Sequence, residues 1–399
     1  MQKFTVLHIA PTPFFADRGC HIRIRNELEV LQKQRHPVRT ILCTYHLGRD
    51  VEGIDVRRIV PIPGYRKLDA GYSPFKFPAD ILLFFLVLKT CWREKPDILH
   101  GHLHEGGLLG WAIKTCLFWR RIALIMDMQG SLSGELVSYG TLNSKQVLTR
   151  IVSRVENMIC RLPDFFLCSS RQSRETLHTR FGVQPEKTLL LQDVVPDAFF
   201  EDHDRNALRQ KHGLPLEKTI ILYTGSLLPG KGVGHLLDAM RLLLLERDDL
   251  FFVLVGYPIE DANEYVRSHG LEEKVHLAGQ VVYQELANWL GIADVAVEPK
   301  EDDSGEASGK LLHYMAAGLP VACFDTDNNR KMLGEAGYYA KVMNADALAS
   351  AIRSILAHPQ EAIKRGRKGK EVIRRDYSMA AVGDQLVQVY RILTTGIKK

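Results

Sequence analysis

Short runs of β-branched and other apolar residues alternate with longer stretches of helical periodicity along almost the whole chain. Strands that are apolar on both faces and separated by helices are typical of parallel sheets covered on each side. The alternation therefore predicts an α/β chain built from doubly wound parallel sheets. The apolar runs cover residues 4–10, 38–45, 97–103, 122–128, 164–169 and 188–195, and then 219–224, 250–256, 274–279, 295–299, 320–324 and 338–342.

A break in this pattern divides the chain into two halves. Residues 196–215 are rich in charged and turn-forming residues, and we interpret them as a linker. A chain of 399 residues is also too long for one ordinary core. We therefore expect a first Rossmann-like domain over residues 1–200 and a second over 201–377. We expect the terminal helix, within 378–399, to pack back on the first domain.

Composition narrows the class of protein. Hydrophobic residues make up 46% of the chain and charged residues 25%, which excludes a disordered or fibrous chain. The formal net charge of +5 permits an anionic substrate or membrane surface without requiring nucleic acid. Seven scattered cysteines form no CxxC pair, a pattern typical of reduced thiols in the cytoplasm. Because we find no signal-peptide pattern and no apolar run long enough to span a bilayer, we expect a cytoplasmic protein.

Two junctions between strand and helix in the second half combine glycines with a lysine. Ligands of open parallel sheets bind beyond the carboxyl ends of the strands, so such junctions are candidate sites. Residues 224–232 contain Lys231, and residues 304–320 contain Lys310. Small residues expose backbone amides and a lysine adds positive charge, which suits a phosphate or diphosphate. The first junction is not a P-loop, because Gly232 stands where Ser or Thr is needed, and a glycine-rich turn with a solvated lysine is its alternative.

Two junctions of the first half carry weaker signals. Residues 11–20 end with Asp17-Arg18-Gly19-Cys20 at the start of a predicted helix, which is either an anion-binding turn or a plain helix start. Residues 100–104 present histidines at three alternate positions, which on a strand lie on one side. A metal cage is one interpretation, but the end of a strand suits a single polar contact better. We therefore expect no metal, and either one histidine that reaches a ligand or a satisfied structural histidine.

The stretch 304–320 (SGEASGKLLHYMAAGLP) resembles the donor-binding motif of the retaining GT-B glycosyltransferases of family 4. Other segments follow in the order that this family uses, so the resemblance covers essentially the whole chain. Residues 97–102 resemble its D-x-x-H-x-H strand, 223–232 its donor-diphosphate loop, 275–286 its V-x-L-x-G-x-V segment and following helix, and 294–299 its A-D-V-x-V-x-P strand.

This resemblance implies a GT-B fold, in which two Rossmann-like domains face a central cleft. The second domain would bind a nucleotide sugar, such as a UDP- or GDP-sugar, and the first would bind the acceptor. A hexose-type sugar would pass to a hydroxyl of a glycan, a lipid-linked acceptor or a small molecule, with retention at the anomeric carbon. The resemblance implies no metal and no cofactor, since the nucleotide sugar is a substrate, and we expect no nucleic-acid partner.

The same resemblance assigns roles to individual residues. Lys231 and Lys310 would contact the donor diphosphate, where negative charge grows as the sugar departs. The expected donor-binding residues are Gly19, Gly225, Ser226, Lys231, Gln280, Val281, Ser308, Gly309, Lys310 and His313. The expected catalytic residues are His102, near the transferred sugar, together with Lys231, Glu306 and Lys310.

The chain departs from the family pattern at two glutamates that are usually separated by seven residues. Gly305 and His313 occupy their positions, and Ser226 replaces the usual arginine of the diphosphate loop. We hypothesise that Glu306, one position after the first missing glutamate, contacts the sugar hydroxyls. The departures leave open a nucleotide-sugar epimerase of the same fold and a non-catalytic nucleotide-sugar-binding protein.

A basic and aromatic segment offers one further interpretation. Residues 65–77 mix Arg66, Lys67 and Lys76 with aromatic side chains, and the apolar run 82–88 follows. Such surfaces can rest on anionic lipid, which would place the protein at the inner face of a membrane. A solvated loop followed by a buried helix is the alternative.

Overall fold

The computed structural model describes residues 4–16, 19–33, 38–68, 73–130, 147–301 and 309–397. Contacts divide the chain into two compact units, in which unit 1 combines Met1–Val194 with Met379–Lys399 and unit 2 is Val195–Ser378. Each unit contains one parallel sheet with helices between its strands, as the alternating pattern predicts.

The sheet of unit 1 has seven strands. They are β1 (Phe4–Ala10), β2 (Val38–Thr44), β3 (Val56–Arg58), β4 (Ile98–His102), β5 (Ala123–Met128), β6 (Phe165–Cys168) and β7 (Thr188–Leu190). All neighbours are parallel, in the order β3-β2-β1-β4-β5-β6-β7. The helices between them, within the described ranges, are α1 (Gly19–Lys33), α2 (Lys76–Glu94), α3 (Leu103–Cys116), α4 (Val147–Ile159) and α5 (Arg171–Thr179).

The sheet of unit 2 has six strands in the same kind of winding. They are β8 (Thr219–Thr224), β9 (Leu250–Val255), β10 (Val275–Gly279), β11 (Val295–Glu298), β12 (Val321–Phe324) and β13 (Gly337–Ala340). Their order is β10-β9-β8-β11-β12-β13, again parallel. The helices are α6 (Arg205–Lys211), α7 (Val233–Glu246), α8 (Glu260–Ser268), α9 (Leu286–Gly291), α10 (Gly309–Ala316), α11 (Asp327–Leu333), α12 (Ala345–Ala357) and α13 (Pro359–Asp376).

The terminal helix α14 (Met379–Ile397) completes the core of unit 1. Its residues Val382, Leu386 and Tyr390 are spaced four apart, so they share one helix face. That face is buried in the same cluster as Val6 of β1 and Ile98 of β4. The last helix of the chain is therefore part of the first sheet's covering layer.

The segment that we interpreted as a linker is folded. It contains a short 3-10 helix, Asp197–Phe200, and α6. Arg209 of α6 is buried, donates two hydrogen bonds to the Ile292 carbonyl at 2.8 and 3.0 Å, and pairs with Asp294 at 2.7 Å. The linker interpretation is wrong because residues 196–215 belong to unit 2, where contacts such as those of Arg209 hold them.

An aspartate just before a central strand fixes the strand alignment in each sheet. Asp97 precedes β4 and accepts the Thr5 N–H of β1 at 2.9 Å, while Asp294 precedes β11 and accepts the Ile220 N–H of β8 at 2.8 Å. Both aspartates lie in segments that resemble family motifs. They sit at the amino ends of the strands, however, and ligands bind at the carboxyl ends, so their role is structural.

Candidate active site

Each sheet has one position where the winding reverses direction. In unit 1 it lies between β1 and β4, and in unit 2 between β8 and β11. In open α/β sheets the crevice beyond the carboxyl ends of such strands is the usual place for a ligand. The predicted residues His102 and Gly225 directly end or follow these strands.

Three imidazoles are stacked at the carboxyl ends of β1 and β4. The ring centroids of His8 and His100 are 4.6 Å apart, and those of His100 and His102 are 4.5 Å apart. Nδ1 of His8 lies 3.0 Å from Nε2 of His102, and all three residues are buried. We expected His104 on the same side, which is wrong: β4 ends at His102, and His104 is the second residue of α3, with its Nε2 3.5 Å from Glu156.

A buried ion pair holds the other nitrogen of His102. Asp127 of β5 accepts two hydrogen bonds from Arg23, from Nη2 at 2.8 Å and Nε at 3.1 Å, and its Oδ2 lies 3.4 Å from His102 Nδ1. Burial opposes ionisation of this carboxyl, yet Arg23 keeps the pKa of Asp127 well below its usual range. A charged Asp127 favours the His102 tautomer with its proton on Nδ1, so that Nε2 accepts from His8.

The other imidazoles of this cluster are neutral. Burial lowers the pKa of both His8 and His100 well below the ordinary value. Nδ1 of His100 is also bonded to the hydroxyl of Tyr390 from α14 at 2.8 Å. Burial and the negative charge of Asp127 raise the pKa of Glu27, which lies beside them. The cluster therefore fixes and orients His102 without placing free cations around it.

The same side chains include two sets that could hold a metal ion. One is His8, His100 and His102, and the other is Glu27, His102 and Asp127; the ligand atoms of each set lie within 4.8 Å of one another. Both nitrogens of His102 are already held by His8 and Asp127, so a metal would have to replace one of these contacts. The expectation that the protein works without a metal stays a prediction.

Lys310 lies in the first turn of α10 and is held by two residues of unit 2. Its Nζ is 3.0 Å from Oε1 of Glu298, the last residue of β11, and 4.5 Å from the centre of the Tyr223 ring. Glu298 is fully buried, whereas the Lys310 side chain is 20% exposed. An ammonium has three N–H donors, so Lys310 retains donors for a ligand after pairing with Glu298.

The loop after β8 is shaped around this lysine. Gly225 has φ +129°, and a Cβ there would lie 3.1 Å from Cδ of Lys310, so a larger residue would press on that side chain. The Tyr223 hydroxyl donates to the Ser226 carbonyl at 2.7 Å, and burial raises the pKa of Tyr223 so that it remains a donor. The Tyr314 hydroxyl accepts from the last N–H of β8 at 2.8 Å. These contacts hold the loop backbone in one shape.

Lys231 lies on the next turn of the same loop. It ends the 3-10 helix Pro229–Lys231 and is exposed, and the described part of the chain offers it no ion-pair partner. Gly232, with φ +74°, follows it, and a Cβ there would be 1.8 Å from the Pro299 carbonyl oxygen. Only glycine fits this approach, which holds the turn with Lys231 against the end of β11, the strand that carries Glu298.

His313 lies one helical turn after Lys310 and belongs to an aromatic cluster. Its ring stacks on Phe199 at 4.3 Å, and its Nε2 is 3.0 Å from the Tyr283 hydroxyl. Burial lowers the pKa of His313 to about 4, so the imidazole is neutral near pH 7. A neutral ring lacks the negative charge that the glutamate expected here from the family resemblance would have.

The remaining predicted residues are placed by their elements. Gln280 and Val281 directly follow β10 at its carboxyl end, Gly309 begins α10, and Gly19 begins α1 of unit 1. Glu306 and Ser308, together with Asp17 and Arg18, lie outside the described residues.

Two family models match the chain, one in each unit. Glycosyl transferase 4-like domain matches residues 18–192, and Glycosyl transferases group 1 matches residues 204–372. The chain belongs to the family 4 glycosyltransferases.

This glycosyltransferase is similar over nearly its whole length to one curated protein and to two solved structures, and the structures show the fold. The α-D-kanosaminyltransferase of Streptomyces kanamyceticus is 23% identical over 392 residues, which cover 93% of this chain and 99% of the relative. Sucrose-phosphate synthase from Thermosynechococcus elongatus has a TM-score of 0.76 at 20% identity, covering 99% and 100% of the two chains. The Anabaena protein HepE, solved with UDP-glucose, has a TM-score of 0.70 at 14% identity, covering 97% and 99%. The predicted GT-B fold of two Rossmann-like domains is confirmed.

Four polar residues of the glycosyltransferase escaped the sequence analysis. They are His8 and Asp127, which contact the predicted residue His102, Arg23, which pairs with Asp127, and Glu298, which contacts Lys310. Three of them interrupt apolar strands near the carboxyl end, in the runs FTVLHIA, ALIMDM and VAVE. A polar or charged group inside a buried strand needs a partner, and that need was the available signal.

Proposed function

We propose that this glycosyltransferase moves a sugar from a nucleoside diphosphate sugar to an acceptor hydroxyl, with retention at the anomeric carbon and without a metal. Unit 2 binds the donor in this proposal, and unit 1 binds the acceptor. The observation that carries it is the arrangement of Lys310: a partly exposed ammonium in the first turn of α10, held by Glu298 and faced by Gly225.

This arrangement suits the leaving group. Negative charge develops on the diphosphate as the bond from the anomeric carbon to its oxygen breaks. An ammonium fixed before the reaction, backbone amides at the start of α10 and the exposed Lys231 all favour that charge. Removing one such electrostatic donor typically slows an enzyme by about 10²–10³-fold.

The proposed retention requires no protein general base. The acceptor hydroxyl can attack from the face that the diphosphate leaves and give its proton to the departing phosphate oxygen. No carboxylate is then needed as a general base. Nδ1 of His102 faces Asp127, so Nε2 is the nitrogen that can accept a hydrogen bond. In this proposal a hydroxyl of the sugar replaces His8 as the donor to Nε2.

Ligand binding and product analysis test the proposal in sequence. A panel of nucleoside diphosphates and nucleotide sugars should contain one that raises the melting midpoint, since a ligand at 100 times its Kd adds about 2.7 kcal/mol of stability. With that donor and a suitable acceptor, we expect a free nucleoside diphosphate and a glycoside whose anomeric configuration, read by NMR, matches the donor. EDTA should leave the rate unchanged.

Other outcomes would replace the proposal. A nucleotide sugar altered in configuration without an acceptor would identify an epimerase. Stabilisation by a donor without release of diphosphate, over a broad panel of acceptors, would identify a binding protein. A glycoside of inverted configuration would retain the transferase and reject retention.

The Glu306 hypothesis has a separate test. If its carboxylate contacts the sugar hydroxyls, Glu306→Gln should reduce kcat/KM for the donor by about tenfold or more, because hydrogen bonds to charged groups are worth roughly 1.5–3 kcal/mol. Near-normal turnover in Glu306→Gln would reject that role and leave the lysine assignments untouched.

A further inference from the structure

Large apolar side chains are exposed along one side of unit 1. Phe85 and Trp92 of α2 are 60% and 61% exposed, and Trp119 of the following 3-10 helix Phe118–Arg120 is 56% exposed. We call this surface the aromatic face. Its members are Phe77, Ile81, Phe85, Trp92, Phe118 and Trp119.

Helix α2 is apolar on two opposite sides. Residues 77, 81, 85, 88 and 92 are spaced by three or four, so they form one outward stripe about 22 Å long. The buried residues Ala79, Leu83, Val87 and Cys91 form the inward side, in the core with β1 and β4. A surface helix of a water-exposed protein normally carries polar residues outward. The outward stripe of α2 is therefore a candidate surface for contact with an apolar partner.

Of the aromatic residues in the segment 65–77, Phe77 is exposed and belongs to the aromatic face, whereas Tyr65 is buried. The Tyr65 ring stacks on Phe75 at 5.5 Å. Those two rings pack against each other, and the outward surface begins at Phe77. The apolar run 82–88, in contrast, contributes both to the core and to the aromatic face.

The aromatic face is continuous between α2 and the 3-10 helix. A shallow groove of about 530 Å³ runs between them, lined by Phe85, Leu88, Trp92, Leu117 and Trp119. Arg120 fixes the junction, since its guanidinium lies 5.2 Å from the Trp92 ring centre and donates to the Cys91 carbonyl at 2.6 Å. The groove is lined mainly by aromatic and aliphatic side chains.

Positive charge borders this surface. Lys89 and Arg93 of α2 also line the groove and are exposed, as is Arg121 just after the 3-10 helix. In the described parts of the chain, no carboxylate forms an ion pair with any of these three cations. Exposed aromatic residues next to uncompensated cations match the boundary between acyl chains and anionic headgroups.

We propose that the aromatic face docks on the surface of an anionic lipid bilayer. Phe and Trp side chains enter the headgroup region, and Lys89, Arg93 and Arg121 contact lipid phosphates. The helices described here include none that is long and apolar enough to cross a membrane, so the contact is with the surface. A second copy of the chain fits less well, because a two-fold contact would bring the same uncompensated cations together.

Docking of this kind has a consequence for the acceptor, which rests on the proposed function. Lys76, in the first turn of α2, contacts Glu105, in the first turn of α3, directly after β4 and His102. The aromatic face therefore starts at the edge of unit 1 where the candidate site lies. A lipid-linked acceptor could meet that site while its chains stay in the bilayer.

Vesicle binding tests the proposal with the full chain and needs no activity. We expect co-sedimentation with phosphatidylcholine vesicles that contain 30% phosphatidylglycerol, little with phosphatidylcholine alone, and release by 0.5 M NaCl. Three of the four tryptophans, Trp92, Trp111 and Trp119, are at least 39% exposed on unit 1, whereas Trp289 is 6% exposed. Their fluorescence should shift to shorter wavelength on binding and be quenched by brominated acyl chains.

Double variants test separately the apolar and the electrostatic contributions to vesicle binding. Phe85→Ser with Trp92→Ser should weaken binding at least tenfold, while Leu245→Ser with Ile392→Ser, which replaces residues 71% and 58% exposed elsewhere, should not. Lys89→Glu with Arg93→Glu should also weaken binding at least tenfold, at roughly 1 kcal/mol per basic residue. Lys364→Glu with Arg367→Glu on α13 is the charge-matched control.

The outcomes decide the proposal in both directions. Equal binding to neutral and anionic vesicles, no effect of either pair of variants, or a stable dimer that forms through this face without lipid would overturn it. Quenching of the wild-type tryptophans keeps the test valid if a variant does not fold. Normal turnover of a water-soluble acceptor by Lys89→Glu with Arg93→Glu would show that docking and the transferase chemistry are separate.

Discussion

The two units place a buried carboxylate beside the reversal point of each sheet but pair it with different cations. In unit 1, Asp127 is paired with Arg23, and the side chains are 0% and 5% exposed. In unit 2, Glu298 is paired with Lys310, and the side chains are 0% and 20% exposed. The carboxylates are equally buried, so the difference lies in the cations.

The choice of cation separates two roles. The planar guanidinium of Arg23 has donors committed to Asp127 and to Asp193, so it is a fixed part of the structure. The ammonium of Lys310 is a point charge on a flexible stem, with donors left after Glu298. In unit 1 the ion pair orients a histidine, whereas in unit 2 the partly exposed ammonium has donors left over, as the proposed function requires.

The largest expected effect comes from breaking the arginine pair. Arg23→Met leaves Asp127 buried without its cation, which typically destabilises a protein by about 3–5 kcal/mol. We expect the melting midpoint of unit 1 to fall by roughly 6–20 °C in calorimetry.

Two variants control for this loss. Arg353→Met removes one partner of the exposed pair with Glu246, whose side chains are 38% and 49% exposed, and should change stability by less than about 1 kcal/mol. Adding Asp127→Asn to Arg23→Met should recover part of the loss, since the uncompensated charge is removed. Equal melting midpoints for Arg23→Met and Arg353→Met would contradict the structural role of Arg23.

The next largest effect is expected from removing Lys310 from its pair with Glu298, and the expected result is slower turnover. Lys310→Met should lower kcat by about 10²–10³-fold, because the diphosphate loses a fixed cation as its charge grows. Lys331→Met, at an exposed position of α11, is the matched control and should leave turnover unchanged. A Lys310→Met enzyme with normal kcat and only a raised KM would show that the lysine binds donor without favouring its departure.

The sequence predicts those strands and site residues whose pattern lies within a short stretch of the chain. Strands such as β1 and β8 begin and end where their apolar runs do, since a buried strand needs continuous apolar residues. Strand β3 was missed because Val56–Arg58 is a three-residue edge strand with two arginines. Lys310 and Gly225 were predicted from local motifs, because glycines and a lysine at the start of a helix suit an anion, and the structure places the two residues next to each other.

Local sequence patterns could not predict which side chains contact the predicted residues, because these partners are distant in the chain. Arg23 and Asp127 are 104 positions apart, and only the sheet order brings α1 beside β5. The three alternate histidines misled for a related reason: the period of two holds only within a strand, and β4 ends before His104. Tyr390 reaches His100 from 290 positions away, which no spacing rule can anticipate.

A smaller effect on the free energy of unfolding is expected when the pH is lowered. The pKa of His313, about 4 in the folded protein, lies below the ordinary value of about 6.5. As the pH falls from 6.5 towards 4, the unfolded chain binds a proton that the folded chain does not, so stability falls; above 6.5 there is no such effect. The loss is at most about 1.4 kcal/mol per pH unit for this imidazole.

Melting midpoints at pH 7.5 and 5.5 measure that loss. His313→Gln should flatten the dependence relative to wild type, while His358→Gln at an exposed position should not. His8 and His100 also have lowered pKa values through burial, so unit 1 should retain its own sensitivity to acid in the His313→Gln protein. An unchanged slope in His313→Gln would contradict burial of a neutral His313.

The smallest effect is expected at the hydroxyl of Tyr223. Tyr223→Phe removes the hydrogen bond to the Ser226 carbonyl but keeps the ring beneath Lys310. The loop backbone should loosen by about 0.5–1.5 kcal/mol, which would raise KM for the donor by roughly two- to tenfold with little change in kcat. A fall in kcat like that of Lys310→Met would show that the hydroxyl itself contacts the reacting groups.

The return of α14 to unit 1 has a consequence for the order of events during synthesis. A ribosome releases the first 194 residues long before Met379, and unit 2 comes between them. Val382, Leu386 and Tyr390 are absent from the first core during that interval, so apolar surface of β1 and β4 stays open. Unit 2 can therefore complete its fold first, and the half of the chain that is made earliest is the last to be finished.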